Sequence, residues 1–201
     1  MTDALRTSDR FVVDQLIRPM VNLYRVSTAD EAGAAGEPVA FVRQARMKLK
    51  EEIVFHADES ETRELFRFKA RAAFDLGGRY DVTDPSGQRI GVLENRFRQS
   101  LLRSTWAVLD PVDEEVRLLV QERSMPVAVV RRLWGLLPLE IPFLFPYHFD
   151  LLEDGTVVGG VERQRSLRDR YLVNLHGIPA EKLDRRLAVA LAIALDALQS
   201  R

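Results

Sequence analysis

The chain has 201 residues, of which 46% are hydrophobic and 29% charged, with a formal net charge of -1 and no cysteine. These values fit one globular domain and exclude wholesale disorder, disulfides, thiolate nucleophiles and thiolate metal sites. The near-zero charge argues against a nucleic-acid-binding protein but leaves room for a local basic face.

The first residues, Met1 to Arg6, have neither the basic region nor the apolar stretch of a signal peptide. The longest apolar run, Leu187 to Leu195, is far shorter than the roughly 20 residues of a spanning helix. The expectation is one domain over residues 1–201 with no transmembrane span, cytoplasmic or peripheral at a membrane.

In chain order, Thr28 to Pro38 is small, acidic and Gly/Ala-rich, which predicts an exposed loop. Residues 46–56 and 64–72 read as a hairpin. Phe66, Phe68, Ala70 and Ala72 alternate with Arg67, Lys69 and Arg71, so one face is apolar and the other basic. A turn centred near Asp58-Glu59 sets Lys50 opposite Arg67, Lys48 opposite Lys69 and Arg46 opposite Arg71. Like charges directly across a strand pair destabilise it, and an anionic ligand such as a lipid headgroup would resolve the conflict. A solvated face, screened by salt and by Glu52, Glu61 and Glu64, is the alternative, and a one-residue slip would abolish the pairing.

Arg79 to Thr83 and Arg89 to Leu93 flank Asp84-Pro85-Ser86-Gly87, whose Pro and Gly positions favour a type I turn. Ser104 to Asp110 with Glu115 to Glu122, and His148 to Leu152 with Thr156 to Gln164, predict two further hairpins. Between them, Leu133 to Pro146 is apolar and carries three prolines, which forbid a regular helix or a central strand. This segment either closes one end of the domain or exposes Trp134, Leu137 and Phe143 to a membrane or a protein partner.

A helix is expected over 179–199, with Pro179 in its first turn. Leu187 to Leu195 is apolar on every side, so the helix must be enclosed on every side, and in a chain of strands the available enclosure is a barrel. Its alanines keep it thin enough to fit. The fold class is therefore mainly β (α+β), a closed antiparallel β-barrel wrapped around a central hydrophobic C-terminal helix.

Three stretches resemble the tubby C-terminal-like superfamily, especially its LURP-one-related and phospholipid-scramblase-like branch. They are Gln44 to Phe55, then Arg79 to Gly91 followed by Ser104 to Asp110 with its Trp106, and the apolar C-terminal helix. The resemblance covers roughly residues 40 to 200 and implies the same barrel around a helix. Tubby domains bind phosphoinositides and scramblases are assigned lipid translocation. The chain departs from the scramblase pattern in lacking acylated cysteines, and His176 to Asp184 offers only Glu181 and Asp184 to a cation.

No nucleophile–base pair, phosphate loop or metal-ligand spacing stands out, and His56, His148 and His176 are scattered. No catalytic residue, metal or cofactor is assigned. The leading expectation is a non-enzymatic module that meets an anionic membrane surface or another anionic ligand through Arg46, Lys48, Lys50, Arg67, Lys69 and Arg71. The alternative is a structural or protein-interaction module using the 133–146 segment or an open strand edge.

Overall fold

Two residue periods dominate the chain, two along most of its length and an all-apolar helical run at its end, and the structure keeps both. The computed structural model describes residues 4–18, 21–45, 52–71, 78–96, 104–124, 148–164 and 169–199. After a short helix α1 (Ala4–Thr7) come β1 (Arg10–Arg18), β2 (Val21–Ala29), β3 (Ala35–Ala45), β4 (Glu52–His56), β5 (Glu64–Ala70) and β6 (Arg79–Thr83). Then follow β7 (Arg89–Asn95), β8 (Thr105–Leu109), β9 (Val116–Glu122), β10 (His148–Glu153), β11 (Thr156–Gln164), β12 (Arg170–Asn174) and the helix α2 (Arg185–Gln199). Each strand pairs antiparallel with its sequence neighbour, and β1 pairs with β12 to close the barrel. In that closing pair Phe11 faces Val173 and Val13 faces Tyr171. Every described strand has a partner on each side, so the ring of described strands is closed.

Local chemistry explains the hairpins. At the β6–β7 turn the Gly87 N–H donates to the Asp84 carbonyl at 3.0 Å. The Asp84 carboxylate accepts the Ser86 and Gln88 N–H groups at 2.9 Å each, so one side chain satisfies two turn donors. Between β10 and β11, Asp154 and Gly155 have φ of 48° and 81°, the two left-handed residues of a type I′ turn whose twist matches the flanking strands. Beside Gly159-Gly160 the register slips between Leu151 and Leu152, which leaves Val158 as the extra residue of a bulge.

Two expected boundaries move. The stretch 28–38 is mostly exposed, but Ser27 pairs with Pro38 and Ala29 with Ala35, so only 30–34 is loop. Helix α2 begins at Arg185 rather than at Pro179. Pro179 accepts from Lys182 N–H at 3.0 Å and Leu183 N–H at 3.3 Å, a single turn that is not continued, and Asp184 then caps α2 by accepting Arg186 N–H at 2.9 Å.

Helix α2 fills the barrel. Residues 187 to 195 are all 4% exposed or less, packed against Phe11, Tyr24, Phe66, Trp106, Phe149 and Tyr171 from the wall. Gly91 permits the approach, since a Cβ there would sit 2.6 Å from Leu187 Cδ1. At the mouth, buried Arg185 donates to the Ile178 carbonyl at 2.7 Å and to Asp9, while Arg186 pairs with Asp184 at 2.6 Å. At the other end of the helix, buried Asp196 accepts hydrogen bonds from Tyr24 Oη at 2.7 Å and from Tyr171 Oη. Burial pushes the Asp196 carboxyl above its ordinary range despite those two donors.

Candidate functional site

The period of two on β5 turns Arg67 and Lys69 outward, and Arg71, one residue past the strand, is exposed as well. Their partners differ from the expected ones. Lys69 lies opposite Glu52, four residues beyond Lys48, and Arg67 lies opposite Val54. The turn explains the shift. The Ala57 N–H donates to the Arg63 carbonyl at 2.9 Å and the Glu61 N–H to the Asp58 carbonyl at 3.2 Å, so the loop centres on Ser60 rather than on Asp58-Glu59. A register slip after Phe55 leaves Leu65 as an extra residue. The stack of like charges at Lys50/Arg67, Lys48/Lys69 and Arg46/Arg71 is therefore not the register of this hairpin. Arg46, Lys48 and Lys50 themselves lie outside the described residues, as do Trp134, Leu137 and Phe143.

On and around β5, the strands β4 to β7 and the β8–β9 turn supply carboxylates. Arg67 binds Glu64 through Nε at 2.8 Å and Nη2 at 2.6 Å, and Glu52 through Nη1 at 3.0 Å. Arg71 forks onto Asp81 at 2.9 and 2.7 Å and reaches Glu114 at 3.2 and 2.7 Å. Arg79 joins Glu94 at 2.9 Å to Glu114 at 2.8 Å, and Arg89 reaches Glu114 at 3.2 Å and Asp81 at 3.1 Å. Arg96 holds Glu94 from the other side at 2.8 Å.

The charges respond to these contacts. Hydrogen bonds to Asp81 and Glu114 raise the Arg71 pKa, and Arg71 holds the Glu114 carboxyl below its ordinary range. Burial pushes Glu94 up, but its bonds to Arg96 and Arg79 outweigh that and bring it down.

Lys69 is the cation left over. It is exposed, with Glu52 and Asp81 as its cross-strand neighbours, yet it forms no ion pair among the described residues. Both carboxylates are already taken, Glu52 by Arg67 and Asp81 by Arg71 and Arg89. At Asp81 the planar fork of Arg71 makes two parallel bonds where an ammonium makes one, while Arg67 holds Glu52 through a single bond.

Arg79, Asp81, Arg89 and Glu114 were not singled out in the sequence. The alternation in Arg79-Tyr80-Asp81-Val82-Thr83 does mark Arg79 and Asp81 as outward. Glu114 carries no such signal, since only the folded β8–β9 turn brings it over the neighbouring strands.

Two other surfaces have defined geometry. A shallow cavity of about 350 Å³ lies over β11 and the turn after β12, lined by Arg123, Val158, Gly159, Asn174 and His176 among others. Arg123 there binds Asp150 at 2.8 Å and Glu162 at 3.0 Å. The turns 30–34, 57–63, 84–88, 110–115, 154–155 and 175–184 share one end of the barrel; each carries a carboxylate, and within them the lysine and arginine residues are Arg63 and Lys182 alone. Among the described residues no group of three or more His, Asp or Glu gathers closely enough to hold a metal ion. No helix in them is long and apolar enough to cross a membrane.

The LURP-one-related family model matches residues 39–196, most of the chain. No curated protein and no solved structure matches it.

Proposed function

This chain belongs to the LURP-one-related family, within the tubby-like superfamily, and on that premise we propose that it is a non-enzymatic binding module whose β5–β7 outer face meets an anionic lipid surface. The observation that carries this reading is Lys69, an exposed ammonium left uncompensated because arginines hold both neighbouring carboxylates. Such a cation near an anionic membrane is worth about 1 kcal/mol.

With α2 filling the interior, a ligand meets the outside of the barrel. The β1–β12 pairing closes the ring of described strands, which counts against an open strand edge as the partner surface.

The test is flotation with phosphatidylcholine vesicles, with and without phosphatidylserine, at low and at physiological salt. Salt-sensitive flotation with the anionic vesicles alone is expected. Lys48→Glu, Lys50→Glu and Lys69→Glu combined should abolish it while leaving the unfolding temperature within a few degrees. Equal flotation of that variant and the parent would sink the reading.

A further inference from the structure

Glu114 is held more closely than its turn requires. The turn from β8 to β9 is closed without it: the Asp110 N–H donates to the Glu115 carbonyl at 2.9 Å, and the Asp110 carboxylate accepts the Val112 N–H at 2.8 Å. The Asp113 carboxylate accepts the Glu115 N–H at 2.9 Å. The Glu114 carboxylate instead leaves the turn and accepts from three guanidinium groups, of Arg71, Arg79 and Arg89.

Its backbone has φ of 57°, in the left-handed region that a long side chain seldom adopts. The three arginines come from the end of β5 and the starts of β6 and β7, so residues far apart in sequence converge on one carboxylate. All three remain partly exposed, with side chains 29%, 43% and 39% accessible, so an outside ligand can reach them.

A guanidinium fork that fits a carboxylate fits two phosphate oxygens equally well, and a phosphate monoester brings nearly twice the charge. Asp81 stays behind when Glu114 leaves, and its bonds at 2.9 and 2.7 Å keep Arg71 aimed into the same space. We propose that Arg71, Arg79 and Arg89 form a phosphate-monoester seat that Glu114 occupies as an internal stand-in, which a phosphate of a lipid headgroup or of a soluble compound displaces. This deepens the anionic-surface reading and rests on it for the face concerned, while adding the ligand group and an autoinhibitory residue.

The test uses the full chain with Glu114→Gln and Glu114→Gly. The second suits the left-handed backbone, so it folds even if the turn is sensitive to substitution. The probes are inorganic phosphate, followed by calorimetry, and phosphatidylcholine vesicles carrying either phosphatidic acid, a monoester, or phosphatidylserine, a diester. Both variants should bind a monoester probe about tenfold more tightly than the parent. Adding Arg89→Gln should remove the gain.

A gain for inorganic phosphate as well as phosphatidic acid, or for either alone, supports the seat and tells a soluble from a lipid-borne source. Folded variants that bind neither probe more tightly than the parent overturn it, as does an equal gain on phosphatidylserine. The phosphate titration needs no membrane, so it reads the seat even where the Lys69-dependent flotation fails.

Discussion

Asp196 follows directly on the apolar run of α2 and places a carboxylate in the barrel interior, 2% exposed and near the negative end of the helix dipole. Two tyrosine hydroxyls hold it there, from β2 and β12. Burial raises its pKa in the fold, Asp169 adds to that effect, and Tyr171, Tyr24 and Arg163 oppose it. The fold therefore binds this proton more tightly than the unfolded chain. The associated stability is fully present below the ordinary value of 3.8 and is lost as pH rises through the raised one. Asp196→Asn keeps one acceptor and gains donors for the tyrosines, without the buried charge. Thermal unfolding at pH 4 and pH 8 should show the variant gaining on the parent as pH rises, by about 1 kcal/mol. A difference independent of pH would mean that Asp196 does not titrate between those values. Lys69 makes the same point on the surface: its sequence neighbours mark it as one of six cations, but which carboxylates remain for it depends on Glu52, Asp81 and Arg89 on three other strands.

At the scale of elements, what the sequence shows best is the hairpins. Asp-Pro-Ser-Gly and Asp-Gly turns impose their own backbone geometry, and the flanking alternation is local. Residues 10–18, 21–29 and 170–174, which the sequence pattern leaves unassigned, form β1, β2 and β12. Phe11, Val12 and Val13 are all buried, so β1 is covered on both faces and shows no alternation to read. The start of α2 misleads for a different reason: Pro179 does accept one helical turn, but the chain must first carry Ile178 and Leu183 into the core. The contact of α2 with the barrel wall is testable at Gly91. Gly91→Ala should cost roughly 1–3 kcal/mol by overpacking against Leu187. Combining it with Leu187→Ala should cost less than the sum of the two single changes, as denaturant unfolding would show. Simple additivity would mean that Gly91 is not where helix and wall meet.

For the whole molecule, the barrel and its helix stabilise each other. Twelve strands closed in a ring leave a lumen that only large side chains and α2 fill, and each buried Leu, Ile or Val of the helix contributes about 1.5–3 kcal/mol relative to exposure. A chain ending at Asp184 should therefore lose cooperative thermal unfolding and bind a hydrophobic dye, while keeping much of its β signal in circular dichroism. A sharp transition close to that of the intact chain would show that the barrel stands without its core. The outer surface is equally a product of the whole fold, with carboxylate-bearing turns at one end and the engaged arginines of β5 to β7 along one side.

By itself the sequence determined that α2 is enclosed and that strands enclose it, because an all-apolar helix has no stable alternative in water. It also determined the hairpins and the outward set of Arg67, Lys69 and Arg71, since turn chemistry and a period of two act over a few residues. Only the tertiary structure decided the partners of those cations. Register follows from a bulge at Leu65 and a turn centred on Ser60, and small local differences there move every cross-strand neighbour. The meeting of Glu114 with Arg71, Arg79 and Arg89 depends on curling the sheet into a ring, so that long-range geometry, rather than any local pattern, sets the electrostatics of the face.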